Sequence, residues 1–133
     1  MNSPALREPV QSLRILVVDD EPSILEVLAM YFEDEGHVVG TACDGEDGLR
    51  AFLDGQWDLV ITDRVMPHRT GDQLAAEIRE INPSIPIILV TGFADQKSGV
   101  KGESPFDSVV RKPFTRSTLQ AAIAHAFPRL AMC

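Results

Sequence analysis

Four places in the sequence carry side chains suited to metal and phosphate chemistry: Asp19-Asp20-Glu21, Asp63, Thr91 and Lys112. Each ends or directly follows a short apolar run. If those runs are neighbouring strands, the carboxylates of Asp19, Asp20 and Asp63 meet at a spacing of about 5 Å. Like charges that close repel and raise one another's pKa values, so the cluster asks for a cation. Hard oxygen ligands with room for water suit Mg²⁺. Lys112 then adds a positive point charge and Thr91 a neutral donor. Such a set meets the needs of phosphoryl transfer: charge on the equatorial oxygens is neutralised while a carboxylate attacks in line. Asp63 is the best candidate nucleophile, since aspartyl phosphates are a known covalent form.

The elements that must position these groups are legible in the hydropathy pattern. Ile15–Val18, Val38-Val39, Leu59–Ile61, Ile85–Val90 and Val109-Val110 are short and continuously apolar. Between them lie amphipathic segments. Ile24, Leu25, Val27, Leu28, Tyr31 and Phe32 share one helical stripe; so do Leu49, Phe52 and Leu53; Leu74, Ile78 and Ile81; and Leu119, Ala122, Ile123, Ala126 and Phe127. Strands apolar on both sides, alternating with amphipathic helices, predict an α/β fold with a parallel sheet covered on both faces. The spacing predicts five βα units, with strands near 14–19, 38–42, 58–63, 86–91 and 107–111. Pro22 suits the first turn of the first helix, Gly36 its end, and Thr115 the N-cap of the last. Asp44 and Asp72 read as helix caps. The segment 94–105 holds Gly99 and Gly102 and one clear apolar residue, Val100, so a short or frayed fourth helix is expected there. That segment is also expected to be among the most mobile. In an open parallel sheet ligands bind at the carboxyl ends of the strands, where the four acidic, hydroxyl and amine positions fall.

Length and composition bound the rest. The chain has 133 residues, 44% hydrophobic and 24% charged, the balance of one globular domain. Residues 1–13 read as a flexible tail and 14–133 as the domain. No run reaches the roughly 18 apolar residues of a membrane span, and the N-terminus lacks the apolar core of a signal peptide, so a cytoplasmic setting is expected. Cys43 and Cys133 fit neither a disulfide framework nor a zinc site. The net charge of −8 argues against direct nucleic-acid binding. Residues 1–63 hold 14 acids against 3 bases, and residues 64–133 hold 6 acids against 9 bases.

Asp19-Asp20, the run Asp63-Arg64-Val65-Met66-Pro67 with Gly71 after it, Thr91-Gly92 and Lys112-Pro113-Phe114 resemble the receiver domain of two-component response regulators. The resemblance covers about residues 14–127, and its strength lies in the motifs standing together, in order, at matching strand ends. It implies a flavodoxin-like, doubly wound five-stranded sheet of order 2-1-3-4-5. It implies that Asp63 accepts a phosphoryl group from a histidine kinase or histidine phosphotransfer protein. Asp20 and Asp63 would bind Mg²⁺, with the backbone carbonyl of Val65 as a further ligand and Asp19 acting mostly through water. Thr91 and Lys112 would contact the phosphoryl group, and the Lys112-Pro113 bond would be cis. The receiver would act on a downstream effector, either alone or as part of a larger regulator or hybrid histidine kinase. It would catalyse only its own phosphorylation and dephosphorylation.

The sequence also departs from that family's pattern. Val109 stands where many receivers carry a switch aromatic, three residues before the lysine; Phe106 or Phe93 are the aromatic residues nearby. Val65 and Phe93, two residues beyond Asp63 and Thr91, offer no group to orient water, which predicts a long-lived phosphorylated form. His37, His68 and His125 show no metal spacing. Two other chemistries use similar parts. A haloacid-dehalogenase-type phosphatase would need a D-x-D pattern, but Val65 follows Asp63 two places on. A flavin or nucleotide binder would need a glycine-rich loop where Asp-Asp-Glu-Pro stands.

Overall fold

The computed structural model describes residues 12–92 and 105–127. Five strands, β1 (Arg14–Val18), β2 (Val38–Ala42), β3 (Leu59–Thr62), β4 (Ile87–Thr91) and β5 (Ser108–Arg111), form one sheet. Its order is β2-β1-β3-β4-β5 and every pairing is parallel. This is the predicted architecture, with strand limits within a residue of those expected. Among the described residues four helices accompany it: α1 (Pro22–Asp34), α2 (Gly45–Asp54), α3 (Gly71–Ile81) and α4 (Arg116–Ala126). The weak helix expected over 94–105, and Phe93, lie outside the described residues, Pro105 excepted. Among the described residues no helix is long and apolar enough to cross a membrane.

Alternation along the strands divides the core in two. Ile15, Val17, Ile61, Ile88 and Val90 face Leu28 and Phe32 of α1 and Leu119 of α4. Leu16, Val18, Val60 and Ile87 face Phe52 of α2 and Leu74 and Ile78 of α3. Covering on both sides holds for β1, β3 and β4 but not for the sheet edges. Val38 of β2 and Val109 of β5 are half exposed, because an edge strand has a neighbour on one side only. The buried stripes of the helices are also narrower than the hydropathy pattern predicts. Leu53 and Ile81 sit in the last turns of α2 and α3, and all three of Val27, Leu53 and Ile81 meet water.

Local chemistry explains where the helices begin and end. Pro22 occupies the first turn of α1, and Gly36 beyond its C-cap takes φ +97°, a conformation that suits glycine. Asp44 caps α2 by accepting from the Asp47 N–H. Thr70 and Gln73 form a capping box on α3, and Thr115 and Thr118 one on α4. Asp72 is therefore not a cap, contrary to expectation; it pairs with Arg64 at 3.3 Å. The N-cap oxygen has to come from the residue just outside the helix, and Thr70 stands there.

At the amino ends of the strands, Leu13 donates its N–H to His37 Nδ1 at 3.0 Å and accepts from the Val38 N–H at 2.9 Å. Arg79 of α3 ties the stretches leading into β4 and β5 together. Its guanidinium donates to the carbonyls of Ile85 and Pro105 and to the carboxylate of Asp107. Asp107 in turn accepts from the Ile87 N–H at 2.8 Å. These contacts leave the opposite, carboxyl ends of the strands free to carry the polar groups.

Candidate functional site

The strand ladder itself places the acids. Val18 of β1 pairs with Thr62 of β3, so Asp19 and Asp63 are the next residues out at the same level. The hydrogen bonding continues one step beyond the strands: Asp63 donates its N–H to Val18 O at 3.0 Å, and Asp19 donates its N–H to Ala42 O at 3.1 Å. Asp20 follows at the exposed rim. One carboxylate oxygen from each of Asp19, Asp20 and Asp63 lies within 4.8 Å of the others, close enough to share one ion. Beyond β4 the ladder likewise continues, with Lys112 donating its N–H to Thr91 O at 3.1 Å. Thr91 ends β4 fully buried.

Lys112 reaches back across the sheet and bonds all three of its N–H donors to carboxylates. Its Nζ lies 3.0 Å from Asp19 Oδ2, 3.1 Å from Glu21 Oε1 and 3.2 Å from Asp63 Oδ2. The side chains of Lys112 and Asp63 are only 16% and 10% exposed and that of Asp19 is buried, so the pairs to Asp19 and Asp63 are not solvated surface pairs, whereas Glu21 is exposed. Asp63 is held at both oxygens: Oδ1 accepts from the Arg64 N–H at 2.7 Å while Oδ2 faces Lys112. Asp19 Oδ1 accepts from the Glu21 N–H at 2.9 Å.

Crowding and burial shift the pKa values of Asp19 and Lys112. Burial pushes the Asp19 carboxyl above its ordinary value, and the Asp63 charge adds to this, against the relief from the Glu21 N–H and Lys112. Burial alone would lower the Lys112 pKa, but its hydrogen bonds to Asp19 and Glu21 and the charge of Asp63 outweigh that and raise it. The lysine therefore stays charged, and its one positive charge is shared by the carboxylates of Asp19, Glu21 and Asp63. That is the signature of a site short of positive charge, and its hard, clustered oxygens suit Mg²⁺.

The sequence expected Asp19, Asp20, Asp63, Thr91 and Lys112 on one rim, and the structure puts them at the carboxyl ends of β1, β3, β4 and β5. Glu21, named in the acidic run after β1 but given no role of its own, is the third carboxylate on Lys112. Its only signal in the sequence is its place directly after two aspartates; in the structure it is the N-cap of α1, and its side chain makes no capping bond. Val65 is 54% exposed beside this rim, in the loop after β3. Val109 is half exposed at the sheet edge, and Phe106 packs against the α2/α3 side of the core, with the Arg64 guanidinium 6.0 Å over its ring. His68 adopts φ 71° with its Nε2 3.9 Å from Asp44. The Lys112-Pro113 bond is cis.

Comparison with known proteins agrees with this geometry. The family profile described as response regulator receiver domain matches residues 15–124. The chain is 38% identical over 112 residues to the transcriptional regulatory protein DltR of Streptococcus agalactiae, covering 84% of this chain and 50% of DltR. It thus spans about half the length of that relative. Among solved structures, a response regulator receiver domain protein from Clostridium thermocellum superposes with TM-score 0.78 at 35% identity, covering 90% of this chain and 98% of that one. The response regulator TrrA from Thermotoga maritima, solved in complex with Mg(2+)-BeF, gives TM-score 0.77 at 37% identity over 89% of this chain and 98% of that one. The sheet order, the crowded acids at its rim and the profile match together show that the chain belongs to the receiver-domain family of two-component response regulators.

Proposed function

We propose that this domain accepts a phosphoryl group on Asp63 from a phosphohistidine donor, a histidine kinase or a histidine phosphotransfer protein, and thereby changes its surface for a downstream effector. The observation that carries the reading is the Lys112–Asp63 contact at 3.2 Å inside a cluster of three acids that could share an ion. Asp19, Asp20 and Asp63 would hold Mg²⁺, with the Val65 backbone carbonyl as a further ligand; the ion would neutralise the charge of the transferring group. An Asp63 carboxylate oxygen attacks phosphorus, an O–P bond forms, and the P–N bond breaks with its electron pair leaving on the imidazole. The Arg64 N–H and Lys112 keep the Asp63 carboxylate aimed at the rim. Lys112 and the Thr91 hydroxyl then capture phosphoryl oxygens. The product stays on the protein, so the domain is a switch and not a turnover enzyme. Phosphorylation adds negative charge at Asp63, and the loops that carry Lys112 and Thr91 are drawn toward it. The exposed Val109 means that an aromatic ring at that position is not the reporter of this change.

Incubation with acetyl phosphate and Mg²⁺ tests the reading. Intact-mass measurement is expected to show one added phosphoryl group, absent in Asp63→Asn. No addition to the wild type, or addition that persists in Asp63→Asn, would overturn it.

A further inference from the structure

Glu21 stands in an odd position. As N-cap of α1 it sits where Ser, Thr, Asp or Asn would accept from the first helical N–H groups. Glutamate is one methylene too long for that bond, and its side chain makes none. Instead Oε1 takes one of the three N–H donors of Lys112, at 3.1 Å. The backbone fixes it there: the Glu21 N–H is held by Asp19 Oδ1, and Glu21 O accepts the N–H groups of Ile24 and Leu25. An ammonium has three donors and no more. With Asp19, Glu21 and Asp63 all engaged, Lys112 has none left for a phosphoryl oxygen. Asp19 and Asp63 are buried and belong to the acid cluster; Glu21, 59% exposed, is the partner whose release into water costs least.

We infer that Glu21 is a positioning residue that holds Lys112 in the unmodified state and is displaced from it when Asp63 takes a phosphoryl group. The inference rests on the reading of Asp63 as the acceptor. It makes Glu21 a setting of the switch: breaking its contact is part of the barrier to phosphorylation. Shortening or neutralising it lowers that barrier.

Time courses of intact mass with acetyl phosphate and Mg²⁺ test this in the wild type, Glu21→Asp, Glu21→Gln and Glu26→Gln. Glu21→Asp keeps the charge, withdraws from Lys112 and can cap α1. It is expected to accept phosphate about two- to fivefold faster than the wild type, the range a partly exposed ion pair sets, with a melting temperature unchanged or higher. Glu21→Gln is expected to be faster by a similar factor. Glu26→Gln removes an exposed charge on the same helix without touching Lys112 and is expected to match the wild type. A faster rate in Glu21→Gln that comes only with a lowered melting temperature, and no gain in Glu21→Asp, would mark a purely structural role and overturn the inference. Wild-type rates in both Glu21 variants would overturn the inference and leave the acceptor reading standing. So would a gain in Glu26→Gln equal to that in Glu21→Gln, with Glu21→Asp unchanged, since that pattern marks a long-range charge effect. A wild type that takes no phosphoryl group overturns both.

Discussion

Gly71, the first residue of α3, backs directly onto the main chain of Asp63: a Cβ on Gly71 would lie 2.0 Å from the Asp63 carbonyl oxygen. Its N–H donates to Arg64 O at 2.8 Å, so the loop after β3 closes on itself under the candidate acceptor. Gly71→Ala is therefore expected to destabilise by about 1–3 kcal/mol, the usual cost of overpacking, and to slow phosphorylation of Asp63 by shifting it. Urea denaturation and acetyl phosphate time courses check the two effects. A fully stable variant with unaltered rate would show that the loop yields at no cost.

Mg²⁺ is expected to stabilise the protein by relieving repulsion among Asp19, Asp20 and Asp63. A ligand at a hundred times its Kd adds about 2.7 kcal/mol to a native state that alone binds it. Thermal melts with and without millimolar Mg²⁺ measure this. Asp20 is exposed, so Asp20→Asn is expected to fold and to lose most of the stabilisation. A shift that survives in both Asp20→Asn and Asp63→Asn would place the ion elsewhere.

Val65 presents an apolar side chain beside the acceptor loop, with nothing to orient an attacking water. Val65→Asn is expected to shorten the lifetime of the phosphorylated form by about two- to tenfold, a small share of what a well-placed polar group can give. Loss of the phosphoryl group after removal of the donor, followed by intact mass, reads the change. An unchanged or longer lifetime would assign the rate to other groups.

His37 makes the stability depend on pH. Its Nδ1 accepts from the Leu13 N–H, which requires that nitrogen to be unprotonated, and burial lowers its pKa below 6.5 despite the opposing charge of Glu35. The unfolded chain then binds a proton at higher pH than the folded one. The contribution is complete above about pH 6.5 and is lost as pH falls below it. The hydrogen bond at stake bounds the effect at about 0.5–1.5 kcal/mol. His37→Asn keeps an acceptor in the same place without the titration. Urea denaturation between pH 7.5 and 5.5 is expected to show a steeper loss in the wild type than in His37→Asn.

The rim of the site was readable from the chain because both parts of the signal are local. Continuous apolar runs mark strands buried on two faces, and the residue after each run must lie at one edge of a parallel sheet. Asp19, Asp63, Thr91 and Lys112 therefore fall together once the alternation of strand and helix is recognised. The order of the strands came from the family resemblance, since hydropathy does not say which run lies beside which.

What the chain order could not show depends on contacts between residues far apart in sequence. Lys112 meets Glu21 across 91 positions, and its three donors could bond to several sets of acids; packing selected Asp19, Glu21 and Asp63. Burial at the edges behaves the same way: Val38 and Val109 have the composition of core strands, yet half of each meets water because no strand lies beyond them. Asp72 shows the limit at short range, where two neighbouring oxygens, Thr70 and Asp72, could each have served one helix end. The local period carries the kind of element and the chemistry at its end. Only the folded chain decides which partner each polar group obtains, because that choice is made by distance in space.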